Sequence, residues 1–447
     1  MQEIRYQVMR ALVVAHLHPK FSMGGAQLSA WNIYTSLKSA GQDVHFLAFS
    51  PPKHHRSEGS RLLRLDATDH VIEVSDYDYF WNILKDFSGI EIAAEFVRRL
   101  APDVVHLHHF LHIGWNGIRR IAGTNKNVKL ILTFHEYLLM CNNHGQMITT
   151  KSQTLCLRAH SGSCARCFPA VPELHFLKRQ VAALDSLACV HLVTAPSHFL
   201  MRRLIEFGVP EHKSVVIENL LDSAIVSRTF DAPRNDATTK PTNKVQVGFF
   251  GRLTENKGIY VFLSAAEHIL KSTLRDSLEF HVWGDMSGQP RDEQDRIEAA
   301  LKSTAQNLTY HGPYDNAETT TLMGGVDYVV VPSVWWENAP LVIQEAFLSG
   351  RPVIASNIGG MREKVQDGEN GLHFEVGNSR DLAKKLELAI TPSVRETLRR
   401  GALAARARVV TALDYVRLYE ELASMQPRKT GEARRRERRP ASVEVSV

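Results

Sequence analysis

The stretch Ser333-Val-Trp-Trp-Glu-Asn-Ala-Pro-Leu-Val-Ile-Gln-Glu-Ala-Phe-Leu-Ser-Gly350 follows directly on an apolar run at 327–332. The run is short and continuous, as a parallel strand covered on both faces is. Pro340 suits the first turn of a helix, where its missing N–H costs nothing, and Gly350 suits the stop. Glu337 then falls in the strand-to-helix loop and Glu345 about a turn and a half into the helix. Two carboxylates are thereby held at the carboxyl end of a strand, beside the positive end of a helix dipole. Open α/β sheets bind ligands there, and anions such as phosphate are favoured there.

Working outward, apolar strand-like runs alternate with helix-length segments through the whole chain. Strands are predicted at 10–17, 44–49, 104–108, 129–134, 191–195 and 215–218, and again at 245–250, 278–283, 308–311, 327–331, 352–355 and 371–374. Residues 26–40, closed by Gly41, form one of the connecting helices. This alternation implies α/β domains with doubly wound parallel sheets. Residues 223–244, rich in Thr, Asp, Asn and Pro, read as a linker between residues 1–222 and 245–410. A cleft between two such domains is a common ligand site.

The chain has 447 residues, 44% of them hydrophobic and 23% charged, as in an ordinary globular protein. No apolar run is long enough to cross a bilayer, and no basic-then-apolar start marks a secretory signal, so a cytoplasmic protein is expected. The formal charge of +5 is concentrated near the C-terminus, where seven Lys and Arg stand against Glu432 and Glu437 between Arg428 and Arg439. Residues 428–447 therefore read as a basic, disordered tail. Either it contacts anionic lipid at the inner face of a membrane or it only solubilises the chain. Basic and aromatic residues are not interleaved on a folded face, which argues against a nucleic-acid partner.

The second domain opens with Gly251-Arg252-Leu253-Thr254-Glu255-Asn256-Lys257-Gly258 directly after a strand. Gly251 permits a tight turn there and Gly258 restarts the chain into a helix. Arg252 and Lys257 are then presented on one short loop, a planar fork and a point charge suited to phosphate oxygens. In the first domain, Gly24-Gly25 lies in the first strand-to-helix turn, where missing side chains admit a ligand close to the backbone; a plain turn is the alternative.

The segment from Glu337 to Glu345, with Gly359-Gly360 and Asp367 to Gly371, resembles the E-x7-E signature of retaining glycosyltransferases of family 4. The loop from Gly251 to Gly258 is similar to the same family's diphosphate clamp. The resemblance implies the GT-B fold, two Rossmann-like domains facing a central cleft, with a helix near 411–425 crossing back onto the first domain. It implies transfer of a hexosyl unit from a nucleoside-diphosphate sugar, UDP or GDP, to a hydroxyl acceptor that is a saccharide or lipid-linked, in polysaccharide or glycolipid synthesis. No cofactor and no metal are implied: Arg252 and Lys257 stabilise the departing diphosphate where other folds use a metal bound to Asp-x-Asp. Asp76-Tyr77-Asp78 has that form, but in a weak setting. By resemblance Glu345 accepts bonds from the nucleotide ribose, Glu337 lies nearer the sugar, and backbone N–H groups from Asn338, Ala339, Pro340 and Leu341 onward (Pro340 itself having none) line the donor. His135, in Thr-Phe-His-Glu-Tyr, is expected to touch the donor sugar; Glu136 departs from the commoner Asp.

Some features remain open in the sequence. His106, His108, His109 and His112 surround a strand end but alternate in direction, so they cannot all converge. Cys141, Cys156, Cys164 and Cys167 fall in an insertion near 141–170. Cys164-x-x-Cys167 is half of a zinc knuckle, yet the other two are widely spaced, leaving structural zinc and free thiols as alternatives. A sugar-nucleotide epimerase of the same fold and a non-catalytic glycan- or nucleotide-binding subunit are the rival functions.

Overall fold

The computed structural model describes residues 9–22, 24–51, 59–231, 244–406, 408 and 410–424. The first domain is built on an eight-stranded sheet. Its strands run in the order Ser214–Val216, Leu192–Ala195, Lys129–Thr133, Val104–Leu107, Arg10–Ala15, Asp43–Ser50, Asp69–Glu73, Arg61–Arg64. The second has a six-stranded sheet in the order Leu308–Gly312, Leu278–Trp283, Val245–Phe250, Tyr328–Val331, Val353–Ser356, Gly371–Phe374. Every neighbouring pair in the second sheet is parallel. The central strands are buried end to end, as at Val245–Phe250, because helices cover both faces.

In each sheet the strand order reverses beside the first strand of the domain. Arg10–Ala15 lies between Asp43–Ser50 and Val104–Leu107, and Val245–Phe250 lies between Leu278–Trp283 and Tyr328–Val331. Connections leave in opposite directions at such a point, so a crevice opens beyond the strand ends. The loop after Phe250 and the loop after Val331 both emerge at the crevice of the second sheet.

Three departures from the sequence reading have physical causes. Strands Arg61–Arg64 and Asp69–Glu73 were not anticipated, and their pairing is antiparallel, so the first sheet has one antiparallel edge. Asp69 and Glu73 look like surface residues, but Asp69 is fully buried with His18 Nε2 3.0 Å from its carboxylate, and Glu73 pairs with Arg61. The stretch read as a linker begins with a helix, Ser223–Asp231, whose Ile225 packs beside Leu221 and Leu348; residues 232–243 lie outside the described residues. The basic tail, 428–447, lies outside them too.

The C-terminal helix Ala412–Ser424 returns to the first domain, where Tyr415, Val416, Tyr419 and Leu422 join the buried cluster formed by Ala11, Val13 and Ile33. Tyr419 Oη is 2.7 Å from His106 Nδ1, and Tyr415 Oη donates to Glu218 O at 3.2 Å. No helix among the described residues is long and apolar enough to cross a membrane.

Candidate functional site

The loop Gly251 to Gly258 turns back beneath the loop that carries Glu337. Gly258 has φ +78°, and a Cβ there would overlap the Pro332 carbonyl, so only glycine lets the two loops close. Val334 N donates to Asn256 O at 3.0 Å, locking them side by side. Residues 80 apart in sequence then meet: Lys257 Nζ lies 2.6 Å from Glu337 Oε1. The same oxygen accepts from Ser333 Oγ at 2.9 Å and from Trp335 Nε1 at 2.8 Å. Burial acts to raise the Glu337 carboxyl, but the charge of Lys257 and these bonds outweigh it, and its pKa lies below the ordinary value. Glu337 is therefore an ionised carboxylate with one oxygen committed.

A second glycine contact sets the other side of this loop. Gly360 N donates to Glu337 O at 2.7 Å, and a Cβ on Gly360 would overlap Asn338 O. The helix Leu341–Leu348 then starts from Pro340 as its N-cap. Glu345 lies 8% exposed in this helix, and burial pushes its carboxyl up to about 7. Two carboxylates eight residues apart thus differ in charge at neutral pH: Glu337 is held ionised by a cation, and Glu345 stands near half-protonation. Arg252 is exposed on the clamp loop, with Asp285 within electrostatic reach.

The first domain reaches the same place. Asn338 Nδ2 donates to His135 O at 2.8 Å, and Asn219 Nδ2 donates to Ala339 O at 3.4 Å. Trp336 stacks on Phe199 with ring centroids 5.4 Å apart, and the Arg203 guanidinium stands 5.3 Å from the Trp336 ring. Glu363 caps the helix His198–Phe207 by accepting from the N–H groups of His198 and Phe199 at 2.8 and 2.7 Å. Behind His135 lies a set of imidazoles: His135 Nε2 is 3.0 Å from His108 Nδ1, and the His16 and His109 ring centroids are 4.6 Å apart. Burial and mutual repulsion hold His16, His108 and His135 below the ordinary histidine value, so they stay neutral. Gln27 Nε2 lies 3.0 Å from His16 Nε2, and a Cβ on Gly24 would run into Gln27 Oε1. A Cβ on Gly25 would meet nothing within 4 Å.

Two family models match the chain: "Glycosyltransferase Family 4" over residues 23–224 and "Glycosyl transferases group 1" over residues 244–391. The chain belongs to glycosyltransferase family 4. It is 25% identical over 426 residues to a glycogen synthase of Mycobacterium tuberculosis, covering 91% of this chain and 92% of the relative. It is 23% identical over 410 residues to a D-inositol 3-phosphate glycosyltransferase of Acidothermus cellulolyticus, covering 88% and 85%. Among solved structures, the Anabaena protein Alr3699/HepE in complex with UDP superposes with a TM-score of 0.64 at 17% identity, covering 93% of this chain and 100% of that one. The fold is GT-B, and the protein is a glycosyltransferase.

In this family-4 chain the structure gathers Lys257, Glu337 and Asn338 directly, with His135 joined to them through its backbone. Glu345 follows on the helix that leaves the same loop, and Gly24 abuts Gln27, which reaches His16. The sequence reading missed Ser333, Trp335 and Trp336. The adjacent tryptophans stand in the opening stretch, and a Trp-Trp pair between a strand and a helix start was a signal that they line a cleft. It also missed Gln27, whose role comes from a contact that no local pattern announces, and it named His108 only within the histidine group, without its contact to His135. Of the four grouped histidines, His106 is buried against Thr133 and Tyr419, His109 pairs with Glu136 at 3.0 Å, and His112 bonds to the His16 carbonyl, so they do not share one centre.

Proposed function

We propose that the protein transfers a hexosyl unit from a nucleoside-diphosphate sugar to a hydroxyl acceptor with retention of anomeric configuration, in saccharide or glycolipid synthesis and without a divalent metal. The observation that carries this reading is the Lys257–Glu337 pair at the strand-end crevice, with Arg252 on the same loop. In this reading the fixed cations receive the negative charge that builds on the departing diphosphate, so they act more strongly on the transition state than on the bound donor. Glu345 accepts from the vicinal hydroxyls of the ribose. Glu337, one oxygen held by Lys257, offers the other to a sugar hydroxyl. Neutral His135 can bond to a sugar hydroxyl without opposing the cations electrostatically.

The acceptor oxygen attacks the anomeric carbon on the face that the diphosphate leaves. The carbon–phosphate-oxygen bond breaks, and the acceptor's proton passes to the departing phosphate oxygen. The likeness to a protein complexed with UDP supports a uridine donor. The test incubates the protein with UDP- and GDP-sugars, with and without saccharide acceptors and EDTA, and follows products by NMR. Nucleoside diphosphate released only with acceptor, an α-linked product from an α-donor, and indifference to EDTA are expected. Isomerised donor, or no turnover with any pair, would displace this reading in favour of an epimerase or a binding subunit.

A further inference from the structure

Residues 141–168 form a lobe beyond the His135 strand with little apolar core of its own. Its one helix, Ser161–Cys167, buries none of its residues, and the rest is tied by one β-bridge, Ile148 to Leu155, and by turn hydrogen bonds such as Cys156 N to Met147 O. Within the lobe only Cys141, Met147 and Ile148 are buried apolar residues. So small a unit does not bury enough surface to hold one conformation, and units of this kind are commonly held by a disulfide or a metal. Four of the five cysteines line one cavity of about 210 Å³ in this lobe: Cys141, Cys156, Cys164 and Cys167. All are free thiols. The fifth, Cys189, lies apart and donates to Ser186 O.

A second observation concerns charge. Arg179, on the neighbouring helix Glu173–Ser186, is 4% exposed. Its guanidinium donates to the carbonyls of Phe80, Leu139 and Leu138 at 2.8, 3.1 and 2.6 Å. The last two carbonyls stand two and three residues before Cys141, so the buried guanidinium lies at the root of the lobe. A buried guanidinium beside neutral thiols is costly, whereas beside thiolates it is paired. A buried positive charge therefore stands at the root of the lobe, available to balance an anionic centre.

We propose that Cys141, Cys156, Cys164 and Cys167 ligate one thiophilic metal centre, whose net negative charge Arg179 balances. Four thiolates suit zinc or an iron–sulfur cluster, and the remaining net charge is negative in both. Each S–H bond is replaced by an S–metal bond and its proton is released to water. Among the described residues no group of three or more His, Cys, Asp or Glu side chains is placed so that it could hold a metal ion, so the four thiols line the cavity without converging. A zinc ion would accordingly draw the thiols inward by rotation about their Cα–Cβ bonds, while sulfide-bridged iron spans a wider cavity. The lobe also braces the cleft, because Arg203 donates to the Leu157 carbonyl while it stands over Trp336. The centre would hold that wall in place without touching substrate.

The test is metal and acid-labile sulfide analysis of the full chain purified without oxygen, together with titration of the apoprotein by zinc, and by ferric iron with sulfide and a thiol reductant. About one zinc per chain identifies the first source. Iron with matching sulfide and a visible band that bleaches on reduction identifies the second. Either supports the proposal if Cys164→Ser and Cys167→Ser lower the metal content severalfold while Cys189→Ser does not. Should the ligand variants be insoluble, thiol counting on the native chain decides: four thiols protected until a chelator or acid releases the metal support it. Four freely reactive thiols, two disulfides, or no stoichiometric metal by either route would overturn it.

Discussion

Replacing Glu345 by Gln should stabilise the protein at alkaline pH while weakening its hold on nucleotide. Burial raises the Glu345 carboxyl from 4.5 to about 7 in the folded state. A raised carboxyl means that the folded chain holds a proton which the unfolded chain has lost, so stability declines as pH rises from 4.5 to 7 and then levels off. At about 1.4 kcal/mol per pH unit, the full cost of ionising this buried group is about 3 kcal/mol. Glutamine fills the same space without ionising. The variant should therefore exceed the wild type by about 3 kcal/mol at pH 8, and by only about 1 kcal/mol at pH 5. Urea unfolding at the two pH values measures this, read on the transition of the second domain. Calorimetry with UDP measures the other half: a carboxylate accepts from two hydroxyls, an amide oxygen and its NH2 group do not, and roughly a tenfold or larger loss of affinity is expected. Wild-type affinity should also fall as pH drops below 7, because binding must first remove the proton, and this slope should vanish in Glu345→Gln. Equal stability of the two proteins at pH 8 would refute the assignment of a buried, cation-free carboxylate.

Four further outcomes follow from particular contacts. Lys257→Met leaves Glu337 buried without its cation; turnover should fall roughly 10²- to 10³-fold, with a stability loss of about 1–2 kcal/mol once the half-exposed lysine end is discounted, measured by steady-state kinetics and thermal melting. Gly360→Ala drives a Cβ into Asn338 O and should cost about 1–3 kcal/mol and nucleotide binding, whereas Gly324→Ala, with open space around it, should do neither. His106 is fully buried and held at about 3, so below 6.5 the unfolded chain takes a proton that the folded chain refuses, and stability should fall as pH drops from 6.5 towards 3. Tyr419→Phe, which strips the partner from His106 Nδ1, should cost about 1–3 kcal/mol at pH 7 by chemical unfolding.

How much was legible in the sequence depended on how local the cause was. Strands at 245–250, 278–283 and 371–374 were read with the same limits as those observed, because each is a short run rich in apolar and aromatic residues with turn or loop residues at its ends. Asp69–Glu73 escaped because its polar ends are hydrogen-bonded to His18 and Arg61, residues that only the fold brings near. The loop around Glu337 was legible because proline and glycine dictate its backbone, and with it the ends of strand and helix. Whether its two carboxylates carry charge was not. Glu337 and Glu345 are the same residue type eight positions apart, and the sequence by itself determined only that both stand near one helix start. Tertiary structure decided that Lys257, 80 residues away, keeps one ionised while burial leaves the other near half-protonation, because ionisation depends on distance to charge and access to water, and neither exists until the chain has folded.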